Sequence, residues 1–502
     1  MRMKERDHPL LYEINARVWL RELGQPKKGF TLAHVPDSAV DEIARLKFDL
    51  VWLMGVWQTG EAGRVISRSP SFFEEYKKIL PDLKPEDIIG SPYAVQEYSV
   101  SEELGGPEAL AHLRSRLAQR GIGLILDFVP NHTARDHLWV YWHPDFYIQG
   151  DEESLRREPE NFFIAETVHG KKILAHGHDP YFPAWSDTAQ LNYLHPEMRA
   201  SMIQTLGAVA SQCDGVRCDM SMLILRETFL RLWEKRAGLP EGIAPAKGEF
   251  WAEAIDAVRR RFPEFIFIAE AYWNLEPELH ALGFEYTYDK PFYDSLIYDG
   301  AGSIRELLKR DPEFQARSVH FLENHDEARS AHLLPADKHR AAALICYATP
   351  GMRFFHEGQL DGRKVKLPIQ LARRPSEPRN LELREFYEKL LAELARPVMR
   401  QGKWRLLEPR PVSNKNQSWE QFVIHRWDGG KRGALVVAVN YAPQRADCLV
   451  PFDLPGLQGR RISLCDLLTG ASSEHDGASL RDPGFYLELA PYEARLFSVS
   501  PA

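Results

Sequence analysis

The chain of 502 residues contains only five cysteines, an odd number without metal-type spacing, which indicates free buried thiols rather than a disulfide framework. No stretch approaches the ~18 consecutive apolar residues of a membrane-spanning helix. The basic residues at the N-terminus are not followed by an apolar core of the signal-peptide type. We therefore expect a cytoplasmic protein that does not bind membranes.

Neither sign of charge dominates, with 63 basic and 71 acidic residues and a net charge of −8. This balance argues against nucleic acid as the main partner and against a polybasic membrane surface. The 44% hydrophobic and 27% charged composition is typical of a soluble globular protein. The length predicts two or three domains, and the sequence leaves the oligomeric state open.

Eight apolar, strand-like segments alternate with mostly helical patterns, and they centre near residues 12, 50, 124, 216, 267, 286, 320 and 354. Near-continuous apolar runs of this kind are typical of parallel strands buried on both faces. Eight such strands with intervening helices close a (β/α)₈ barrel. We expect the first strand to run from Leu10 to Leu20, and residues 58–90 to form a loop with one short helix near Ser71–Leu80.

The alternating pattern breaks between Thr133 and His195, where aromatic, proline and glycine residues dominate without helical periodicity. A loop of that length is unusual, so we expect a small inserted subdomain. From about residue 397, short alternating segments between Gly- and Pro-rich turns predict an antiparallel β-sandwich. The predicted α/β architecture is a (β/α)₈ TIM barrel from residues 1–132 and 196–396, a subdomain 133–195 inserted after the third strand, and a C-terminal sandwich 397–502.

Carboxylates follow three of the predicted strands: Asp219, Glu270 and Asp326. Active sites of such barrels lie at the C-terminal strand ends. Arg217 and Asp219 are two residues apart on a strand, so both side chains point to one side and the arginine keeps the aspartate ionised. Glu270 has apolar and aromatic neighbours, which predicts a raised pKa. One ionised and one protonated carboxyl group are what glycosidic bond cleavage requires.

Four ordered segments resemble the motifs of the α-amylase family, glycoside hydrolase family 13: Asp127–His132, Gly215–Asp219, Glu270 and Phe321–Asp326. The upstream segment Ser91–Tyr98 also resembles one in which a tyrosine stacks under the sugar. The resemblance covers the barrel, about three quarters of the chain.

This resemblance implies that Asp219 is the nucleophile, Glu270 the acid/base, and Asp326 a third carboxylate that binds sugar hydroxyls and favours ring distortion. It implies a retaining double displacement, with the first two carboxyl groups about 5–5.5 Å apart. The other matched positions imply substrate binding by Tyr93, His132, Arg217 and His325, with structural support from Asp127 and Asn131.

Two positions depart from the family pattern. Many family amylases have a Lys-His pair three and four residues after the nucleophile, whereas this chain has Met222 and Leu223, which argues against a standard endo-amylase that grips long chains. Gln190 stands where an aspartate often ligates calcium, although Asn131 matches the other calcium-side position. Because a neutral amide weakens a site for a hard cation, a structural calcium is doubtful. We expect no metal ligand among the site residues and no cofactor for the chemistry.

Two further stretches allow both a structural and a functional interpretation. The aromatic segment Tyr181–Trp185 is equally compatible with a sugar-stacking wall and with the core of the subdomain. The basic stretch Arg363–Lys366, together with Arg373 and Arg374, suits a solvated loop better than a site for a phosphorylated sugar.

The sequence therefore predicts a retaining hydrolase of α-glucosidic bonds in α-glucans, malto-oligosaccharides or other α-glucosides, acting through a covalent glycosyl-enzyme intermediate. A transglycosidase or disaccharide isomerase, of the glucanotransferase or trehalose-synthase type, would use the same residues and would differ in whether water or a sugar reaches the intermediate. The non-enzyme alternative is a catalytically inactive amylase-like binding subunit, which should have lost at least one of the three carboxylates. Linkage and chain-length preference stay open.

Overall fold

The computed structural model describes residues 7–24, 29–430, 433–452 and 459–502. Eight parallel strands close into a barrel in which neighbours in space follow the order of the chain. They are β1 (Leu10–Asn15), β2 (Leu50–Met54), β3 (Gly123–Phe128), β4 (Gly215–Cys218), β5 (Ile266–Ala269), β6 (Tyr286–Tyr288), β7 (Ser318–His320) and β8 (Met352–His356). The predicted (β/α)₈ barrel is confirmed, with each strand at its predicted place.

The first strand is shorter than expected, because β1 ends at Asn15 and a helix, Ala16–Gly24, follows at once. The side-chain oxygen of Asn15 accepts a hydrogen bond from the Val18 N–H at 3.2 Å, which satisfies one of the free donors in the first helical turn. The prediction of strand through Leu20 was wrong, since apolar residues at Val18 and Leu20 fit a helix face as well as a strand.

Helices lie outside the barrel and cover it. They include Asp37–Arg45, Gly106–Gln119, Pro196–Ala210, Arg226–Trp233, Phe250–Arg261, Glu276–Ala281, Lys290–Tyr298, Ala301–Leu308, Pro312–Ala316, Ser330–Leu333, Ala336–Ala348, Leu381–Leu394 and Pro397–Gln401. Their inner faces and the barrel strands share one apolar core. Among the described residues, none of the helices combines the length and apolarity that a membrane crossing requires.

Residues 58–90 contain more structure than the predicted single helix. The predicted short helix is present as Pro70–Ile79, and it is preceded by a second helix, Glu61–Ser67. A short strand, Trp57–Thr59, pairs with Val95–Val100. The single-helix expectation was wrong because a helix of seven residues is too short for its periodicity to stand out.

The segment between β3 and helix Pro196–Ala210 forms a small β-rich unit. It contains a hairpin, Phe162–Thr167 with Gly170–Ala175, and a second antiparallel pair, His132–Ala134 with Thr188–Gln190. The second pair returns the chain to the barrel mouth. The unit also contains two short helices, Leu138–Trp142 and Glu152–Arg157, which the sequence did not reveal because it shows no helical periodicity there.

The C-terminal region is an antiparallel β-domain, as predicted. Its six-stranded sheet has the order Lys403–Leu407, Phe422–Asp428, Ala434–Asn440, Ala494–Pro501, Arg461–Asp466 and Ser472–Asp476, and a two-stranded sheet consists of Ala446–Val450 and Phe485–Leu489. Apolar side chains of both sheets form one cluster between them. The indole N–H of Trp427 donates to the Ala348 carbonyl at 2.7 Å, which ties the domain to a barrel helix.

Candidate active site

A buried arginine joins two of the three predicted carboxylates at the C-terminal ends of β4 and β5. Nη1 of Arg217 lies 2.6 Å from Oδ1 of Asp219, and Nη2 lies 2.7 Å from Oε2 of Glu270. Adjacent parallel strands bring these ends together, because Asp219 directly follows β4 and Glu270 directly follows β5. One guanidinium group therefore holds both carboxylates in a fixed relation.

Aromatic rings surround this arginine. The Arg217 guanidinium carbon lies 5.2 Å from the ring centroids of Trp52 and Tyr93 and 5.9 Å from that of Tyr288. Such rings attract a cation electrostatically while excluding water. The arginine is thus desolvated, and its interactions with the carboxylates are stronger than they would be in water.

Asp127 lies behind the arginine and does not reach the cavity. Register places it beside Arg217 on the neighbouring strand, with Oδ1 of Asp127 3.9 Å from Nη1. Its carboxyl group accepts hydrogen bonds from Trp52 Nε1 and the Gly55 N–H, both at 3.1 Å. Burial raises the pKa of Asp127 to about 7, against the opposing charge of Arg217. These contacts fit the bracing role implied by the resemblance.

Glu270 is held on both of its oxygens. Oε2 accepts the backbone N–H of Met220 at 2.7 Å, and Oε1 accepts the hydroxyl of Tyr272 at 2.8 Å. Burial raises the pKa of Glu270 to about 7, with Arg217 opposing and Asp219 adding to the increase. This is the direction that the apolar sequence context predicts, and it leaves a substantial protonated fraction at neutral pH.

The third carboxylate is paired with a histidine rather than an arginine. Nε2 of His325 lies 2.9 Å from Oδ2 of Asp326 and 2.9 Å from the Tyr93 hydroxyl, while Nδ1 lies 2.5 Å from Oε1 of Glu13. Partial desolvation would raise the pKa of Asp326, but the charge on His325 outweighs it and holds that pKa well below its usual range. The Asp326 side chain is 45% exposed and faces the cavity, so it is available to a ligand.

These groups open into one large cavity of about 1010 Å³, at the upper end of the size of small-molecule sites. Six of the predicted site residues line it: Tyr93, His132, Asp219, Glu270, His325 and Asp326. The other three, Arg217, Asp127 and Asn131, are buried behind its wall. The three carboxylates therefore share a single pocket.

The segment Tyr181–Trp185 contributes to the cavity wall. The Tyr181 side chain is 71% exposed, and its ring lies 5.4 Å from that of Trp273, across the mouth of the cavity. The Trp185 ring lies 5.1 Å from His132. This placement favours the sugar-stacking interpretation of the aromatic segment over the subdomain-core interpretation.

The residues at the two departures from the family pattern are buried. Met222 and Leu223 lie in a 3₁₀ turn, Ser221–Ile224, and do not line the cavity. Asn131 and Gln190 form a reciprocal amide pair: Asn131 Nδ2 donates to Gln190 Oε1 at 3.2 Å, and Gln190 Nε2 donates to Asn131 Oδ1 at 3.1 Å.

This amide pair does not fit a calcium site. Both side-chain oxygens already accept hydrogen bonds, and neither residue brings the negative charge that a hard cation prefers. Within the described ranges, no cluster of three or more His, Cys, Asp or Glu side chains has an arrangement suited to a metal ion.

Two residues near the site were not singled out from the sequence. Tyr272, which donates to Glu270, was read only as part of its aromatic context. Glu13 is a charged residue between Tyr12 and Ile14 in a largely apolar strand, and that contrast was an available signal, because a buried carboxylate requires a partner.

A parallel (β/α)₈ barrel with an arginine-linked carboxylate pair and a third carboxylate in one cavity belongs to the class of carbohydrate-active barrels. The model of the α-amylase catalytic domain matches residues 40–364. The chain is therefore a member of the α-amylase family.

Similar proteins agree with this membership. The chain is 23% identical over 283 residues to the α-amylase MalA of Haloarcula japonica, an alignment that spans 53% of this chain and 36% of that protein. It is 22% identical over 415 residues to the intracellular maltogenic amylase of Bacillus subtilis, over 78% of this chain and 63% of the relative. The maltogenic α-amylase AmyB of Thermotoga neapolitana has the same fold, with a TM-score of 0.68, 18% identity and 99% of both chains covered. The alignments thus span less than two thirds of the two sequence relatives.

Proposed function

We propose that the protein is a retaining glycosidase that hydrolyses α-glucosidic bonds of malto-oligosaccharides, α-glucans or related α-glucosides. The observation that carries the proposal is the bridging of Asp219 and Glu270 by one buried guanidinium, with Asp326 in the same cavity. An ionised carboxylate next to a protonatable one is the arrangement that a double displacement uses.

In the first step, an oxygen of Asp219 attacks the anomeric carbon and the bond from that carbon to the leaving oxygen breaks. Glu270 transfers its proton to the leaving oxygen, so the departing sugar leaves as a neutral alcohol. The anionic Asp326 stabilises the positive charge that develops on the ring, and His132 and His325 contact hydroxyl groups of the same sugar.

In the second step, a water molecule attacks the anomeric carbon and gives one proton to Glu270, while the bond to Asp219 breaks. Glu270 is protonated again and the sugar is released with its original configuration. Tyr272 steadies Glu270 through both steps by its hydrogen bond to Oε1.

The transfer alternative differs only in the group that attacks in the second step, namely a sugar hydroxyl in place of water. The exposed ring of Tyr181 and the half-buried ring of Trp273 give a second sugar a surface to stack on. This observation favours some transfer of the glycosyl group to a second sugar at high substrate concentration. Isomerisation of a disaccharide is one form of this transfer.

The charge of the cavity favours neutral substrates. Seven side chains with carboxyl groups line it, against the cations Lys290 and His325, and Lys290 lies 2.5 Å from Asp294 and 3.6 Å from Glu327. Two arginines of the basic stretch are already paired, Arg373 with Asp82 and Asp87 and Arg374 with Glu22 and Glu357, and Lys366 donates to the backbone carbonyl of Asp326. We therefore infer uncharged glucosides as the substrate class.

An inactive binding subunit is disfavoured because Asp219, Glu270 and Asp326 are all present and face one cavity. The buried positions of Met222 and Leu223 also support short substrates over long starch chains, since these side chains cannot grip a sugar beyond the cleavage point. An intracellular location is part of the proposal, because the Bacillus subtilis relative is named an intracellular enzyme.

The test is a time-resolved NMR product analysis with maltose, maltotriose, trehalose, sucrose and soluble starch. Release of the α-anomer first is expected, and release of the β-anomer first would contradict a retaining mechanism. New disaccharides or longer glucans without equivalent free glucose would identify the transferase alternative. No turnover of any substrate by folded protein would support the binding subunit.

A further inference from the structure

A fully buried carboxylate, Glu13, lies beneath the site in β1. Register places Glu13 level with Trp52 on β2 and with His356 on β8. Its exposed fraction is 0%, and it does not line the cavity, so it cannot touch a substrate. A charge at such a position is costly unless other groups compensate it, which calls for a specific role.

The main partner of Glu13 is the site histidine. Its Oε1 lies 2.5 Å from Nδ1 of His325, whereas Oε2 lies 3.9 Å from Nε2 of His356, beyond hydrogen-bond distance. With Nδ1 held by Glu13, the other ring nitrogen of His325 faces the cavity, 2.9 Å from Asp326. The imidazole thus connects a hidden carboxylate to an exposed one.

Several groups face this imidazole. They are Glu13 from β1, Asp326 from its own loop, the Tyr93 hydroxyl at 2.9 Å, the edge of the Trp52 ring at 5.5 Å between centroids, and the charge of Asp127 from β3. Burial alone would lower the pKa of His325, but the charges of Asp326 and Glu13 outweigh burial and raise that pKa to about 10.

Resting on the proposed function, we propose that Glu13 is a positioning residue that keeps His325 doubly protonated and oriented, so that Nε2 holds Asp326 in place for the sugar ring. Glu13 acts through the histidine and not on the substrate. The competing explanation is that Glu13 only compensates positive charge in the barrel interior next to His356 and has no effect on Asp326.

The decisive variant is Glu13→Gln, which keeps the shape and an acceptor for Nδ1–H but removes the charge. The first measurement is an NMR titration of the His325 imidazole in ¹⁵N-histidine-labelled full-length protein, with the signal assigned from its loss in His325→Gln. In the unchanged protein, His325 should stay protonated to about pH 9 or above. In Glu13→Gln, its midpoint should fall by about two pH units, towards the ordinary histidine value.

Activity gives the second measurement. The ratio of kcat/KM for Glu13→Gln to that of the unchanged protein should fall by about fourfold between pH 6 and 8.5, since a midpoint near pH 8 leaves about a quarter of the variant protonated at His325 at the upper end of this range. A merely structural role would lower the ratio equally at all pH values. Glu13→Asp, which restores the charge on a shorter side chain, should recover part of both effects.

The matched control is Glu323→Gln. Glu323 is equally buried, but it pairs with Arg329 at 2.6 Å and has no contact with His325. This variant should lose stability without moving the midpoint of the His325 titration.

The proposal is overturned if His325 of the unchanged protein titrates near pH 6.5, a result that needs no variant to fold. It is also overturned if Glu13→Gln and Glu323→Gln shift the His325 midpoint equally. Because the titration requires no substrate, its outcome is independent of whether the proposed reaction is right.

Discussion

The site contains two clusters in which a cation lies between two carboxylates, and the cations differ in kind. Arg217 joins Asp219 and Glu270, and its guanidinium stays charged at every accessible pH. His325 joins Glu13 and Asp326, and an imidazole is charged only while its neighbours keep it so. The arginine cluster is thus a permanent electrostatic arrangement, whereas the histidine cluster depends on a carboxylate hidden in the barrel.

The largest expected effect comes from removing the two carboxyl groups of the arginine cluster, which react directly in the proposed mechanism. Asp219→Asn and Glu270→Gln should each lower kcat/KM for maltotriose by about 10³-fold or more, because each removes a group that makes or breaks a bond. Circular dichroism should show an unchanged fold. Substantial activity in either purified variant would contradict the assignment of roles.

Changing the permanent cation should have the next largest effect. Arg217→Lys keeps one charge but cannot reach two carboxylates with a planar fork, so kcat/KM should fall by about 10²-fold. The loss should be the same at all pH values, in contrast to that of Glu13→Gln. A loss of kcat/KM in Arg217→Lys that grows with pH would contradict the distinction between the two clusters. Thermal unfolding shows whether the lower activity comes from the changed site alone or from a destabilised fold.

The difference between the clusters also explains how far the sequence could be read. Arg217 and Asp219 are two residues apart on one strand, so strand geometry alone predicts their pairing, and the eight apolar segments predict the barrel that adds Glu270. Glu13 and His325 are separated by 312 positions in the sequence. They come close only because the barrel closes through the pairing of β1 with β8.

Local structure was missed where short elements carry little periodicity. The helix after Asn15 was predicted as strand, and the short helices Leu138–Trp142 and Glu152–Arg157 were not predicted, because five or six residues hardly exceed one helical period. The amide pair of Asn131 and Gln190 depends on two strands that meet only in the folded chain. The motifs therefore identify Asn131 and Gln190 as residues of interest, whereas their mutual hydrogen bonds follow only from the fold.

The pH profile tests the proton donor of the arginine cluster. In the proposed mechanism the protonated form of Glu270 is the active one, and its pKa is raised to about 7, so kcat/KM for maltotriose should fall about tenfold per pH unit above that value. An aryl α-glucoside with a good leaving group needs less protonation and should show a weaker decline. Equal declines for both substrates would mean that the loss of a proton from a group other than Glu270 causes the fall of kcat/KM at high pH.

Substrate charge tests the whole cavity. A 6-phosphorylated α-glucoside should be cleaved with a kcat/KM about tenfold lower than its neutral counterpart, because the carboxylates that line the cavity repel the phosphate. Added salt should narrow the difference by screening. A preference for the phosphorylated substrate would show that a cationic side chain contacts the phosphate. That outcome would support the basic stretch Arg363–Lys366 as a phosphate site.

The smallest expected effect is that of calcium. Because Asn131 and Gln190 satisfy each other's amide groups, removal of calcium with EDTA should change the melting temperature of the unchanged protein by less than about 1 °C. Gln190→Asp breaks the pair and places a carboxylate next to the Asn131 oxygen, so it should melt at a lower temperature and be restabilised by added calcium. A drop of several degrees in the unchanged protein with EDTA would show that a cation binds despite the amide pair. Recovery of Gln190→Asp with calcium but not with magnesium would show that the geometry of the site is retained and that the neutral amide alone keeps calcium out.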